Sequence, residues 1–266
     1  MDGKYLAEVK VDRPIVVSSL SRPTRFVVVD DYRGGVIQPA IRFAGDRIPN
    51  SEGEILPPVV VDCGWRCPGV VFDRCEHWSI DAVKVLRPLG FGIRLESIRE
   101  SSVRSLQVSE SLSDSDPAVE ICSSSEFSGD ATNGCDFGEI RISACQTTRY
   151  LVIRGGGKRN GLHWCRNNIF QKIWCHVMWD AQLDMLPETH RSQFSNDGNR
   201  TLLQLGLLDN CVMPMVILRN NPSVACETVK VIDELRRLEI RGRVRHAPAS
   251  SLGSLSNSFF QDFDKG

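Results

Sequence analysis

His163-Trp-Cys-Arg-Asn-Asn-Ile-Phe-Gln-Lys-Ile-Trp-Cys-His-Val-Met-Trp-Asp180 carries two of the chain's five histidines, two of its ten cysteines and three of its five tryptophans. From Arg166 onward its apolar residues form adjacent pairs four apart: Ile169 and Phe170, Ile173 and Trp174, Val177 and Met178, then Ala181. That is the spacing of a broad apolar stripe along an amphipathic helix. The pattern therefore predicts a helix, ended by Pro187, as the core of the second half. Before it stand the strand-like run Arg149-Tyr-Leu-Val-Ile-Arg154 and the basic glycine loop Gly155-Gly-Gly-Lys-Arg-Asn-Gly161.

Further out, Glu139-Ile-Arg-Ile-Ser143 and Cys211 to Leu218 read as strands, the latter at an edge or bulge because of Pro214. Ser223 can cap a second helix with Val224, Thr228, Val231, Ile232, Leu235 and Leu238 on one face. The first part, residues 1–96, alternates short β-branched runs with proline and glycine, as in a small sandwich or barrel. Residues 97–136 hold twelve serines among forty and the acidic run Ser113-Asp-Ser-Asp116. So few large apolar side chains predict disorder. The expected fold class is α+β: a β-rich domain at 1–96, a disordered acidic linker at 97–136, a basic mixed α/β domain at 137–246 and a flexible tail at 247–266.

Hydrophobic residues make up 41% and charged residues 24% of the chain, proportions that give a core to bury. The longest apolar runs fall far short of the roughly 20 residues needed to span a bilayer, and the first residues read as neither export signal nor anchor. The expected location is intracellular, cytoplasmic or nuclear, with the cysteines reduced. The near-zero net charge hides an asymmetry. Residues 97–136 carry 2 basic against 8 acidic side chains, and residues 137–246 carry 16 against 10.

Several constellations could carry chemistry. Cys63, Cys67, Cys75 and His77 have a spacing that permits a structural zinc site. Cys165, flanked by arginines at the start of the expected helix, with His176 as base and Asp180 one turn further on, would make a Cys/His hydrolase. The glycine loop lacks the spacing of a nucleotide-triphosphate loop. Lys158 and Arg159 there would instead touch a phosphate backbone, joined by Arg149, Arg154, Arg166, Arg236, Arg237, Arg241, Arg243 and Arg245, with Trp164 to stack on a base. Val119-Glu-Ile121, flanked by acidic and serine residues, resembles a SUMO-interacting motif that adds a strand to a partner's sheet. Phe259, Phe260 and Phe263 form a candidate docking peptide.

The expected function is that of a non-enzymatic regulatory protein that binds nucleic acid, RNA before DNA, or an acidic protein through its basic second half. Compact units, short linear motifs and reduced cysteines are a combination often shown by small virus-encoded accessory proteins. The alternatives are an interaction adaptor or matrix-like structural protein, and the hydrolase.

Overall fold

The computed structural model describes residues 7–45, 55–123, 132–156, 163–177, 200–219, 226–245 and 264–265, with backbone alone at 242–245 and 264–265. Every regular element among them is a strand. In chain order these are β1 Ala7–Val11, β2 Ile15–Val17, β3 Thr24–Val28, β4 Ile41–Ala44, β5 Ile55–Leu56, β6 Val59–Asp62 and β7 Val70–Asp73. Next come β8 Ser79–Leu86, β9 Ile93–Glu96, β10 Ser102–Ser109, β11 Leu112–Cys122, β12 Asp136–Ser143 and β13 Gln146–Arg154. The last are β14 Cys165–Arg166, β15 Ile169–His176, β16 Arg200–Gly206, β17 Leu208–Arg219, β18 Cys226–Val231, β19 Leu235–Arg245 and β20 Asp264–Lys265. Strands alternate between two sheets along the chain, except that β5 and β6, β14 and β15, and β19 and β20 fall successively in the longer sheet, and every pairing between the named strands is parallel. The longer sheet runs β1-β3-β6-β8-β10-β12-β15-β17-β19-β20, and the other runs β18-β16-β13-β11-β9-β7-β4-β2. The chain therefore winds as a parallel β-solenoid, each coil contributing one strand to each sheet.

The corners have a residue-level cause. After the longer sheet's strands, Arg87, Glu110 and Ala144 take positive φ, and after the second sheet's strands Arg74, Ser97 and Leu207 do the same. A third column, His77, Glu100, Gly134, Asn167, Asn210 and Arg237, is left-handed at the return to the longer sheet. Such single left-handed residues turn an extended chain sharply, which asparagine and glycine tolerate best. Here the corners also stack. His77 N–H donates to the Arg99 carbonyl at 3.1 Å, Glu100 N–H to that of Asn133 at 2.9 Å and Gly134 N–H to that of Arg166 at 3.2 Å. A side-chain ladder reinforces them, with Asn210 donating to Asn167 and Asn167 to Asn133, each at 2.9 Å.

The core lies between the sheets. Phe43 stacks on Phe72 at 4.8 Å and Phe137 on Phe170 at 4.9 Å, one coil above the other. Cys63, Cys67, Cys75, Cys135, Cys145, Cys165, Cys175 and Cys211 are buried in the same cluster as small apolar side chains.

The α+β expectation is overturned, because both expected helices are strands. Residues Ile169–His176 are β15, and the reason they mimic a helix is a bend stacked through the longer sheet. In β8, β10, β12, β15 and β17 the buried inward pairs are Ile80 and Val83, Val103 and Leu106, Phe137 and Ile140, Phe170 and Ile173, and Met213 and Val216. Each pair is three apart, so two outward-facing or flanking residues stand where strict alternation allows one. Two period-two segments joined by such a slip produce the i, i+3, i+4 spacing of a helix. The second expected helix spans β18, a corner and the start of β19. Its Leu235 to Leu238 step straddles the left-handed Arg237.

The expectation of a disordered linker fails for residues 97–123 and 132–136. They include β10 and β11, whose Val103, Leu106, Val108, Leu112, Val119 and Ile121 are buried. Two of their buried serines serve corners: Ser101 Oγ accepts from Trp78 N–H at 2.9 Å and Ser111 Oγ donates to the Gly90 carbonyl at 3.0 Å. The same sheets run without interruption across positions 96 and 136. The coil repeat is hidden in the sequence because its length varies. The register steps Ser79 to Ser102, Asp136, Ile169 and Val212 span 23, 34, 33 and 43 residues. Among the described residues no helix is long and apolar enough to cross a membrane.

Candidate functional site

The stacked bend divides the outer face of the longer sheet into two regions. Beyond it, outward residues of consecutive coils line up in rows about 4.8 Å apart, the interstrand spacing. One column is Gln107, Arg141, Trp174 and Ile217, and the next is Ser109, Ser143, His176 and Arg219. The Arg141 guanidinium lies over the Trp174 ring at 4.5 Å from its centroid, and Trp174 meets His176 edge-on at 5.3 Å. Burial, then the charges of Arg219 and Arg141, hold the His176 imidazole below its ordinary pKa. Among the described residues no carboxylate forms an ion pair with Arg141 or Arg219. The backbones of Arg243 and Arg245 continue the two columns, opposite Ile217 and Arg219. The result is a basic-aromatic strip in which Arg141 and Arg219 have no carboxylate partner among the described residues.

Before the bend lies a cleft of about 570 Å³. Its floor crosses β8, β10, β12 and β15 with Ser79, Asp81, Ser102, Arg104, Asp136 and Gln171, and Ile55 to Pro58 form one wall. The floor side chains pair across strands. Arg104 binds Asp81, Gln171 donates to Asp136 at 3.2 Å, and Ser102 donates to Ser79 at 3.4 Å.

The chain matches no known family model, no curated protein and no solved structure. The site therefore rests on geometry alone.

The structure scatters most residues singled out from the sequence. Cys63 and Cys67 sit together at the corner before β7, and Cys67 is held below its ordinary thiol pKa mainly by the hydrogen bond from Cys63. Cys75 and His77 flank the next corner. Cys75 is buried, whereas the His77 Nδ1 lies 3.4 Å from Glu100 on the surface. Among the described residues no group of three or more His, Cys, Asp or Glu is arranged to hold a metal ion.

Cys165 is buried at an inner corner, where Asn168 donates to its sulfur at 3.2 Å. Hydrogen bonding with Cys211, then burial, raises its thiol pKa well above the ordinary value. His176 lies at the other end of the eight-residue β15, roughly 23 Å further along an extended strand. The proposed nucleophile and base do not meet, and Asp180 lies outside the described residues.

The arginines do not share one face either. Arg149 and Arg154 are on the second sheet, Arg166 and Arg236 are in register at the third corner, and Arg241 is on the longer sheet. Most are engaged: Arg149 with the Ser115 carbonyl, Arg154 with Glu120 at 2.7 Å, Arg236 with Glu234 at 2.6 Å, Arg237 with Asp209 at 2.8 Å and Arg241 with Glu239 at 2.7 Å. Trp164 is buried beneath Arg236, whose guanidinium lies 4.3 Å from its ring. Lys158 and Arg159 lie outside the described residues. So do Phe259, Phe260 and Phe263. Val119 and Ile121 are interior residues of β11, which is paired on both sides by β9 and β13, so that segment has no edge to offer a partner. Sequence reading missed Arg141, Arg219, Asp81 and Arg104. The outward parity of Arg141 and Trp174 within period-two runs was the available signal.

Proposed function

We propose that this protein is a non-catalytic binding scaffold whose basic-aromatic strip takes single-stranded nucleic acid, RNA before DNA. The observation that carries this reading is the Arg141, Trp174, His176 and Arg219 cluster, with cations left without carboxylate partners among the described residues. Single strands favour such a surface because their bases stack on aromatic rings and guanidinium planes while cations neutralise phosphates. A solenoid supports it, since consecutive coils bring outward side chains into line along the face. A catalytic role draws no support from the described residues, because Cys165 is buried and distant from His176.

The test is a titration of the full chain with a fluorescent oligouridylate of twenty nucleotides at two salt concentrations. Saturable, salt-sensitive binding that Arg141→Ala with Arg219→Ala weakens at least tenfold is expected. Binding that ignores both salt and the double substitution contradicts the reading.

A further inference from the structure

The cleft before the bend is chemically unlike the strip. Its charged floor groups are two aspartates and one arginine, so it repels a phosphate chain rather than attracting it. Its floor is the face of a sheet, whose backbone groups are already used in the ladders between strands, so a ligand meets side chains only. Those side chains are short hydroxyls, carboxylates, an amide and a guanidinium, a mixed set of donors and acceptors. They are held in place by pairing with one another across strands: Arg104 with Asp81, Gln171 with Asp136, Ser102 with Ser79. Gly138 stands between Arg104 and Gln171, where an added Cβ would run into the Arg104 backbone, so only glycine lets the floor strands approach this closely. One wall is apolar, made by Ile55, Leu56, Pro57 and Pro58, and Ile55 is 73% exposed.

We infer that this cleft binds a neutral, hydroxyl-rich chain, an extended oligosaccharide. Sugar hydroxyls donate and accept at once, which suits a floor offering both, and the C–H faces of the rings pack on the proline wall. A small polar set on an otherwise apolar concavity is the usual composition of a ligand site, and the volume falls within the usual range of about 300–1,000 Å³. The floor crosses four strands, about 14 Å end to end, which favours a short linear chain over a single sugar. A nucleic acid is disfavoured by charge. A peptide gains no backbone pairing from the floor, because β8, β10, β12 and β15 are each paired on both sides. The site is separate from the strip and does not depend on it.

The test uses cellohexaose, a flat neutral glycan, titrated into the full-length protein by calorimetry. Wild type should bind saturably, in the millimolar range or tighter. Arg104→Ala and, separately, Gln171→Ala should each weaken binding at least fivefold, with melting temperature and oligouridylate affinity unchanged. Failure of wild type to bind saturably overturns the proposal. So does binding that both variants retain, or binding that the oligouridylate competes away.

Discussion

The two ends of the same strands teach opposite lessons. Before the stacked bend, the outer face of the longer sheet is an indented cleft whose charges pair with each other. After it, the face is a strip whose Arg141 and Arg219 find no carboxylate among the described residues. The same strands run through both, so the difference arises from the outward side chains the sequence places on each row and from the Ile55 to Pro58 wall on the cleft side. A solenoid tolerates this because its backbone ladders, stacked corners and inward columns hold the coils together, leaving the outer rows free to vary.

The most disruptive way to probe the comparison is through the shared core. Phe170 is buried beneath the cleft end of β15, the strand that also carries Trp174 and His176, and is stacked on Phe137. Phe170→Ala should cost about 3–5 kcal/mol of stability, measured by urea unfolding, and impair both surfaces together. A loss below about 1 kcal/mol would mean that β15 does not face inward as described.

Next in size is the selective break. Replacing Arg141 and Arg219 by alanine should weaken oligouridylate binding at least tenfold and reduce the slope of log affinity against log salt by about 1.4, roughly 0.7 for each phosphate no longer neutralised. Cellohexaose binding should not change. Equal loss of both ligands would mean the two regions are one.

How much of this was legible in the sequence follows from particular residues. The β character of the first half was readable, because Phe26-Val-Val-Val29 and Val59-Val-Val61 are β-branched runs between turns. The second half was not. The bend placed Phe170 and Ile173 three apart, and the left-handed Arg237 did the same for Leu235 and Leu238, so tertiary corners forged a helical period. Serines that serve as corner hydrogen-bond partners looked like the serines of a disordered spacer, since composition carries no information on whether a hydroxyl meets water or a carbonyl. Of the candidate sites, His176 alone among the residues chosen from sequence falls in the strip with a described side chain. Clustering by sequence distance gathers one coil, whereas a solenoid face gathers one residue from each of several coils.

A smaller effect tests the corner column. Asn167 is left-handed, with φ of 57°, and makes two ladder hydrogen bonds. Asn167→Ala should destabilise by about 1–2 kcal/mol, and Asn167→Gly by less because glycine keeps the backbone conformation. Thermal unfolding of the pair checks the order, and an alanine variant as stable as wild type would remove the corner's assigned role.

The smallest expected effect is a pH dependence confined to the strip. His176 has a folded pKa below its unfolded value, from burial and from Arg219 and Arg141. Its contribution to stability is therefore present above the unfolded value of about 6.5 and is lost as pH falls through the folded value, because the unfolded chain takes the proton first. Phosphates bound beside it offset the two arginines and favour the imidazolium, so oligouridylate affinity should rise a few-fold as pH falls below about 6.5. His176→Gln should flatten both trends, and cellohexaose binding should show neither. A pH dependence unchanged in His176→Gln would assign it to another group.

The most direct test of the strip is where an RNA touches it. A 4-thiouridine-containing oligouridylate, bound to the full chain, irradiated and mapped by mass spectrometry, should crosslink to the β15 peptide at Trp174 or His176 and to its neighbours at Arg141 or Arg219. Crosslinks confined to Asp81, Arg104 or the second sheet's Arg149 and Arg154, with none at Trp174 or His176, would contradict the assignment of nucleic-acid binding to this face.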